Sequence, residues 1–332
     1  YTYLWNNGQT SSSLAGVSVG TYTCIITDDT LCTTTQSVTI YEPTPLTAAL
    51  ISTDSVNCNG GSDGGAEIIA IGSTPSYSYT WTNGQTGPVI SSVTAGTYNC
   101  NIQDYNGCSI NFSVDIEEPL PLTTVGNITS NYNGRDVSCY GASNGSAFVQ
   151  SSGGTPSYVY SWNNGQSGQT LTNVGAGTYN CTVSDHYGCT DNFQIQISQP
   201  DSIVANSIPI DIRCNGGSDG QVIGNVTGGT SPYTYNWSNG IVNPSTSSPN
   251  SIIGLSLGTY SFTVYDANNC SKSSNVVTIN QPSPLISSVI NVDSVSCNGG
   301  SDGGSLVTGQ GATPPYTYLW NNGQTSSSLA GV

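Results

Sequence analysis

Polar and apolar side chains alternate with a period of two along most of this chain, the spacing of half-buried β-strands. The clearest run, Tyr77-Ser78-Tyr79-Thr80-Trp81, puts three aromatic rings on one strand face and two small hydroxyls on the other. Related runs stand at Tyr1–Trp5, Tyr158–Trp162, Tyr233–Trp237 and Tyr316–Trp320, and together they hold every tryptophan: Trp5, Trp81, Trp162, Trp237 and Trp320. The rings are expected to fill cores, because a small sandwich has few other large residues to bury. A sugar-stacking platform is the other use of such a face. The runs are short and end at Asn-Gly, Asp-Gly or Gly-Gly, so an all-β protein is predicted. About seven short strands per unit, with a turn about every 8–12 residues, match a β-sandwich of immunoglobulin type.

The pattern is periodic. Residues 1–17 return letter for letter as 316–332, an offset of 315. Each unit opens on a Cys followed by a Gly-rich turn, at Cys58, Cys139, Cys214 and Cys297. An apolar strand, a Pro and the aromatic strand follow, and then Gly-Thr-Tyr at Gly20, Gly96, Gly177 and Gly258. A hairpin turn begins at Asp28, Asp104, Asp185 or Asp266 and leads to Cys32, Cys108, Cys189 or Cys270; the unit closes at Pro43, Pro119, Pro200 or Pro282. Cutting after those prolines yields a tandem array: repeats 44–119, 120–200 and 201–282, flanked by 1–43, the C-terminal half of a repeat, and 283–332, the N-terminal half. The two halves join across the 315-residue offset, so the chain is expected to be a window of a longer exported polypeptide built in blocks of four domains. Pro43-Thr44-Pro45, Pro119-Leu120-Pro121 and Pro282-Ser283-Pro284 read as short, stiff junctions.

Charge narrows the function. Arg135, Arg213 and Lys272 are the only bases in 332 residues, and the formal net charge is −16. Nucleic acid and anionic membrane surfaces both require clustered Lys and Arg, so neither is an expected partner. No apolar run is long enough to insert into a membrane. Eleven Cys without a Cys-x-x-Cys pair, beside a single His, favour disulfides over metal and an extracellular location.

The hairpin after Gly96 places those cysteines. A three-residue loop, Tyr105-Asn106-Gly107, sets Asp104 opposite Cys108, and Tyr98, Cys100 and Ile102 then share a face with Ile110, Phe112 and Val114. In this register Cys100 lies about 13 Å from Cys108 along the strand, beyond disulfide reach. Phe262 replaces the middle Cys in 201–282, whereas Cys214 and Cys270 remain. The expected disulfides are therefore Cys58–Cys108, Cys139–Cys189 and Cys214–Cys270, each worth roughly 4 kcal/mol by loop closure. Cys24, Cys100 and Cys181 are expected as buried free thiols, and Cys32 and Cys297 are expected to pair in adjacent blocks.

No motif supports catalysis or a cofactor. His186 is unique, so no Ser-His-Asp arrangement can recur. Glu117-Glu118 and Asp28-Asp29 are adjacent pairs that point apart on a strand. The Gly-rich turns lack the Lys and the helix of a phosphate loop. Asp63, Asp219 and Asp302, beside Asp54 or Asp293, have the charge for Ca²⁺ but also suit turn capping, and no metal site is expected.

The complete unit resembles the SprB repeat, a module of very large surface adhesins of gliding Bacteroidota. The resemblance rests on Cys297-Asn-Gly-Gly-Ser-Asp-Gly303, Pro314-Pro-Tyr-Thr-Tyr-Leu-Trp320, Gly20-Thr-Tyr22, the Asp104-x-x-Gly-Cys108 turn and Glu118-Pro119. It departs at the middle cysteines and at the turns ending in Cys32 and Cys270, where Gly is lost. The resemblance implies type IX secretion, a role in gliding or adhesion, and O-glycosylation at Asp-Ser/Thr-apolar sites, here Thr30, Ser55, Ser202 and Ser294. The expected function is a structural stalk whose partners are neighbouring repeats. One alternative is an adhesive module in which Tyr105, Tyr140 or Tyr187 stacks on polysaccharide or meets a bare surface. The other is a filament of chains joined by half-domain complementation, which the duplicated 17 residues count against.

Overall fold

The computed structural model describes residues 1–245 and 248–332. They cluster into two compact units, one of residues 1–123, 151–158 and 184–191, the other of 124–150, 159–183 and 192–332. All regular structure among the described residues is β.

Strands β1 (Thr2–Trp5), β2 (Gly20–Thr27) and β3 (Thr33–Ile40) form an antiparallel sheet in that order. Six strands follow: β4 (Thr47–Asp54), β5 (Gly64–Ile71), β6 (Ser78–Trp81), β7 (Val89–Val93), β8 (Gly96–Gln103) and β9 (Ser109–Ile116). They make two sheets, β4-β5-β7 and β6-β8-β9. Strands one, two and four in one sheet and three, five and six in the other is the immunoglobulin arrangement. Their inner faces bury Val56, Ile68, Trp81, Ile90, Cys100 and Ile102 as one core. The Trp81 indole N–H donates to the Gly87 carbonyl at 3.0 Å, so the largest core residue leaves no polar atom unsatisfied.

The β8–β9 register is the one that alternation demands: Tyr98 faces Val114, Cys100 faces Phe112 and Ile102 faces Ile110. Gly107 sits at φ +84° in the turn and donates to the Asp104 carbonyl at 3.1 Å. Gly72 is required at the other end of β5. A Cβ there would lie 2.2 Å from the Pro45 carbonyl oxygen, and the next amide, Ser73, donates to Thr44 at 2.8 Å. This close approach ties the far end of β5 to the first residues of its repeat.

The plan recurs in β10 (Thr123–Ile128), β11 (Gly145–Ser152), β12 (Val159–Trp162), β13 (Thr170–Val174), β14 (Gly177–Ser184) and β15 (Thr190–Ile197), as sheets β10-β11-β13 and β12-β14-β15. Next come β16 (Val204–Ile210), β17 (Gly220–Thr227), β18 (Tyr233–Trp237), β19 (Val242–Ser245) and β20 (Asn250–Leu255). Then follow β21 (Gly258–Tyr260), β22 (Phe262–Tyr265), β23 (Ser271–Ser273) and β24 (Val277–Ile279). They form β16-β17-β20, β19-β18-β22-β23 and the pair β21-β24. Strand β19 comes from the longer Ile241–Ser251 segment, of which 246 and 247 lie outside the described residues. A last sheet holds β25 (Ile286–Asp293), β26 (Gly304–Gln310) and β27 (Ser328–Ala330).

One core exchange distinguishes 201–282. Phe262 opposes Trp237 in the register where Cys100 opposes Trp81. The strand behind it carries Gly224, ten residues after Cys214, whereas Ile68 stands ten residues after Cys58. A Cβ on Gly224 would meet the Phe262 ring at 2.9 Å and the Trp237 ring at 3.1 Å. Large-beside-small has been exchanged for small-beside-large, with the summed volume kept to within roughly one methylene.

Candidate functional site

Two structural elements position the exposed cysteines. The first is the turn that begins at Cys58. Gly61 N–H donates back to the Cys58 carbonyl at 2.9 Å, and Asp63 accepts the Asn57 amide at 3.1 Å. Glu118 accepts the Gly60 amide at 2.6 Å, and the Asn59 side chain donates to the Pro119 carbonyl at 3.1 Å. Gln199 and Gln281 accept from Gly141 and Gly216 in the same way, each at 2.8 Å. The turn cysteine is thus fastened to the last residues of its own repeat. Sequence reasoning missed this role of Glu118, Gln199 and Gln281, although their place before the closing proline was its signal.

The second element is the Asp-x-x-x-Cys hairpin turn. Asp185 is buried and accepts the amides of Tyr187 at 3.0 Å and Cys189 at 2.9 Å with one oxygen. Its other oxygen accepts the Thr155 amide at 2.8 Å. Gly154 in turn donates to the Leu120 carbonyl at 2.7 Å. Burial pushes the Asp185 carboxyl up, and the surrounding amides more than offset this, leaving it below its ordinary value. Asp104 is likewise lowered, chiefly by the Ser73 hydroxyl, which donates to it at 2.5 Å. The hairpin cysteine is therefore fastened to the first residues of its repeat.

These anchors decide the pairing. The structure joins Cys58 to Cys189 and Cys139 to Cys270, with Cα–Cα distances of 5.6 and 5.7 Å. The expected pairs Cys58–Cys108, Cys139–Cys189 and Cys214–Cys270 do not form, and Cys108 and Cys214 are exposed free thiols. The reason is length. The eight-residue strand β5 separates the Cys58 turn from the Ser73–Asp104 contact, roughly 26 Å at 3.3 Å per residue, far beyond the span of a disulfide. The two cysteines of one repeat sit at opposite ends of its sandwich. Each bond therefore joins the turn of one repeat to the hairpin of the next. Asn268 adds polar contacts beside the second bond, donating to the carbonyls of Ser138 at 3.1 Å and Tyr132 at 3.3 Å.

Cys24, Cys100 and Cys181 are buried and unpaired, and burial raises the thiols of Cys100 and Cys181. Cys32 and Cys297 are exposed and unpaired. Trp81, Trp162 and Trp237 are buried, whereas Trp5 and Trp320 are half-buried. Thr30, Ser55, Ser202 and Ser294 are all exposed. Asp63, Asp219 and Asp302 accept backbone amides within their own turns, and no cluster of metal-ligating side chains occurs among the described residues. Tyr105, Tyr140 and Tyr187 are exposed, and Tyr187 lines an open cleft of about 580 Å³ with Asp54, Ser55, Glu118 and Thr155.

The SprB repeat family model matches residues 50–86, 131–167, 206–241 and 289–325. This chain is an array of SprB repeats. Each match contains the turn cysteine and the aromatic run and ends within a few residues after its Trp, so the turn cysteine belongs to the matched part of the SprB repeat and the hairpin cysteine lies outside it. Among solved structures the array is similar to a tetra-tandem repeat in the extending region of a large adhesion protein, at 14% identity and a TM-score of 0.31, covering 84% of this chain and 90% of that one. It is also similar to a Dscam isoform structure at 14% identity and a TM-score of 0.24, covering 84% and 91%. No curated protein matches the sequence.

Proposed function

We propose that this SprB-repeat chain is a segment of an extracellular repeat adhesin and serves as a non-catalytic stalk. Its domains are 44–119, 120–200 and 201–282, each bolted to the next. The observation that carries the reading is that both disulfides join successive repeats rather than staple one. Where a peptide junction alone connects two sandwiches, relative motion is the default. A second covalent link opposes hinge bending at a short proline junction. Disulfides and a Lys-poor, acidic surface agree with an extracellular setting, and no described helix is long and apolar enough to cross a membrane. The test is the distribution of end-to-end distances by electron microscopy, with the chain oxidised and then reduced. A narrow distribution that broadens on reduction supports the stalk; identical distributions refute it.

The exposed Tyr187 beside its polar cleft favours a second reading, an adhesive surface for polysaccharide. Saturable polysaccharide binding that is lost in Tyr105→Ser/Tyr187→Ser supports it, and no binding by the folded, oxidised chain removes it.

A further inference from the structure

We infer that the cysteine pairing continues with a fixed offset of one repeat, so that the turns of Cys214 and Cys297 and the hairpins of Cys32 and Cys108 are docking halves for further copies of this repeat. The inference rests on the stalk reading and names the partner of the same clamp. Both bonds obey one rule, turn cysteine to the hairpin cysteine of the following repeat, with a sequence separation of 131 each time. Every exposed unpaired cysteine belongs to one of those two classes, and every middle-strand cysteine is buried.

The unbonded halves already hold the bonded geometry. In the turns, Gly217 and Gly300 donate to the carbonyls of Cys214 and Cys297 at 3.0 and 2.9 Å, against 2.9 and 3.0 Å at the bonded Cys58 and Cys139. Asp219 and Asp302 accept the amides of Arg213 and Ser296 at 3.2 and 3.0 Å, as Asp63 and Asn144 do at 3.1 Å each in the bonded turns. In the hairpins, Asp28 and Asp104 hold the amides of Cys32 and Cys108 at 2.8 and 2.7 Å, against 2.9 Å at both bonded hairpins. Free thiols held this way require little further ordering to bond. Because 316–332 repeats 1–17, the occupant can be named. Cys214 takes a hairpin of the Asp28–Cys32 type, and Cys297 takes one of the Asp104–Cys108 type.

Each bond needs an oxidant, and oxidised glutathione serves. One cysteine thiolate attacks it and releases a glutathione thiolate. The second cysteine thiolate then attacks the mixed disulfide and releases the other, so two electrons pass to the oxidant and both thiol protons are lost.

The test extends the full chain at its C-terminus with a copy of residues 18–119, in register with the 315-residue offset. After oxidation in glutathione buffer, the disulfides are mapped by mass spectrometry of unreduced digests. The expected result is Cys214 bonded to the copy of Cys32 and Cys297 bonded to the copy of Cys108, beside the two bonds already formed. The same pairs between chains, seen as an oligomer ladder, support docking in trans. Cys214 bonded to Cys270, or still open to alkylation while Cys58–Cys189 is intact, overturns the inference. Loss of Cys58–Cys189 and Cys139–Cys270 as well would instead overturn the stalk reading beneath it. A second arm needs no extension. In Cys139→Ser the freed Cys270 is expected to stay alkylatable although Cys214 lies in the same repeat, and a Cys214–Cys270 bond would refute the offset rule.

Discussion

The exchange of Cys100/Ile68 for Phe262/Gly224 can be tested by a double-mutant cycle. Phe262 is 2% exposed, with ring centroids 4.9 Å from Trp237 and 5.2 Å from Tyr235. Phe262→Cys removes most of a buried ring and two aromatic contacts, at a cost of about 3 kcal/mol. Gly224→Ile alone forces a branched side chain against rings that already lie 2.9 and 3.1 Å from its Cβ position, at a cost of about 2 kcal/mol. The double variant recreates the pair present in 44–119, and its expected loss is about 2 kcal/mol rather than the additive 5, a coupling of about 3 kcal/mol. Hydrogen exchange by mass spectrometry, on a peptide covering β22, reads the opening free energy of each variant. The coupled and additive outcomes differ by roughly 150-fold in exchange rate. Additive behaviour would show that the two positions do not share one volume, and the packing argument would fail.

Four further outcomes follow from the clamp and its supports. A protease site placed between Pro200 and Asp201 should leave the cleaved pieces joined on a non-reducing gel through Cys139–Cys270; separation before reduction would contradict the bond. Pulled by its ends, the oxidised chain offers a covalent path from Cys58 to Cys270 that crosses both disulfides and only the 50 residues between Cys139 and Cys189. Reduction should therefore lengthen the fully extended chain by roughly 550 Å in force spectroscopy, at about 3.3–3.6 Å per residue. The lowered carboxyls of Asp104 and Asp185 contribute stability that is complete above the unfolded carboxylate value of about 3.9 and is lost as pH falls through their folded values. The rate of phosphine reduction of Cys58–Cys189, taken relative to an exposed small-molecule disulfide at the same pH, should be steady from pH 7 to about 4 and rise below, and Asp185→Asn should be fast throughout on the same scale; a step near neutrality would be inconsistent. Gly228→Ala, with its Cβ 2.1 Å from the Ser202 carbonyl at φ +75°, should cost more than 2 kcal/mol by thermal melting. Gly240→Ala, at φ +85° with open space around it, should cost about 1 kcal/mol, and equal costs would refute the close-approach argument.

Periodicity alone determined the repeat, the hairpin register and four of the five aromatic strands (Tyr316–Trp320 forms none), because a strand's side chains alternate and only one register brings Tyr98, Cys100 and Ile102 onto the face of Ile110, Phe112 and Val114. It also set Cys100 beyond reach of Cys108, since that distance runs along a single strand pair. Which cysteines do meet was decided elsewhere. Spacing within a repeat counts residues along the chain, but Cys58 and Cys108 are parted by the length of β5, and that is visible only once Ser73 is seen to hold Asp104 at the far end of the strand. Cys189 is brought to Cys58 by two sets of backbone contacts, Glu118 on the Cys58 turn and Asp185 on Thr155, which fasten each cysteine to the end of its repeat nearest the junction. Local alternation is a property of the strand and can be read from its residues. A disulfide between repeats depends on where two folded ends come to rest, and only the tertiary structure fixes that.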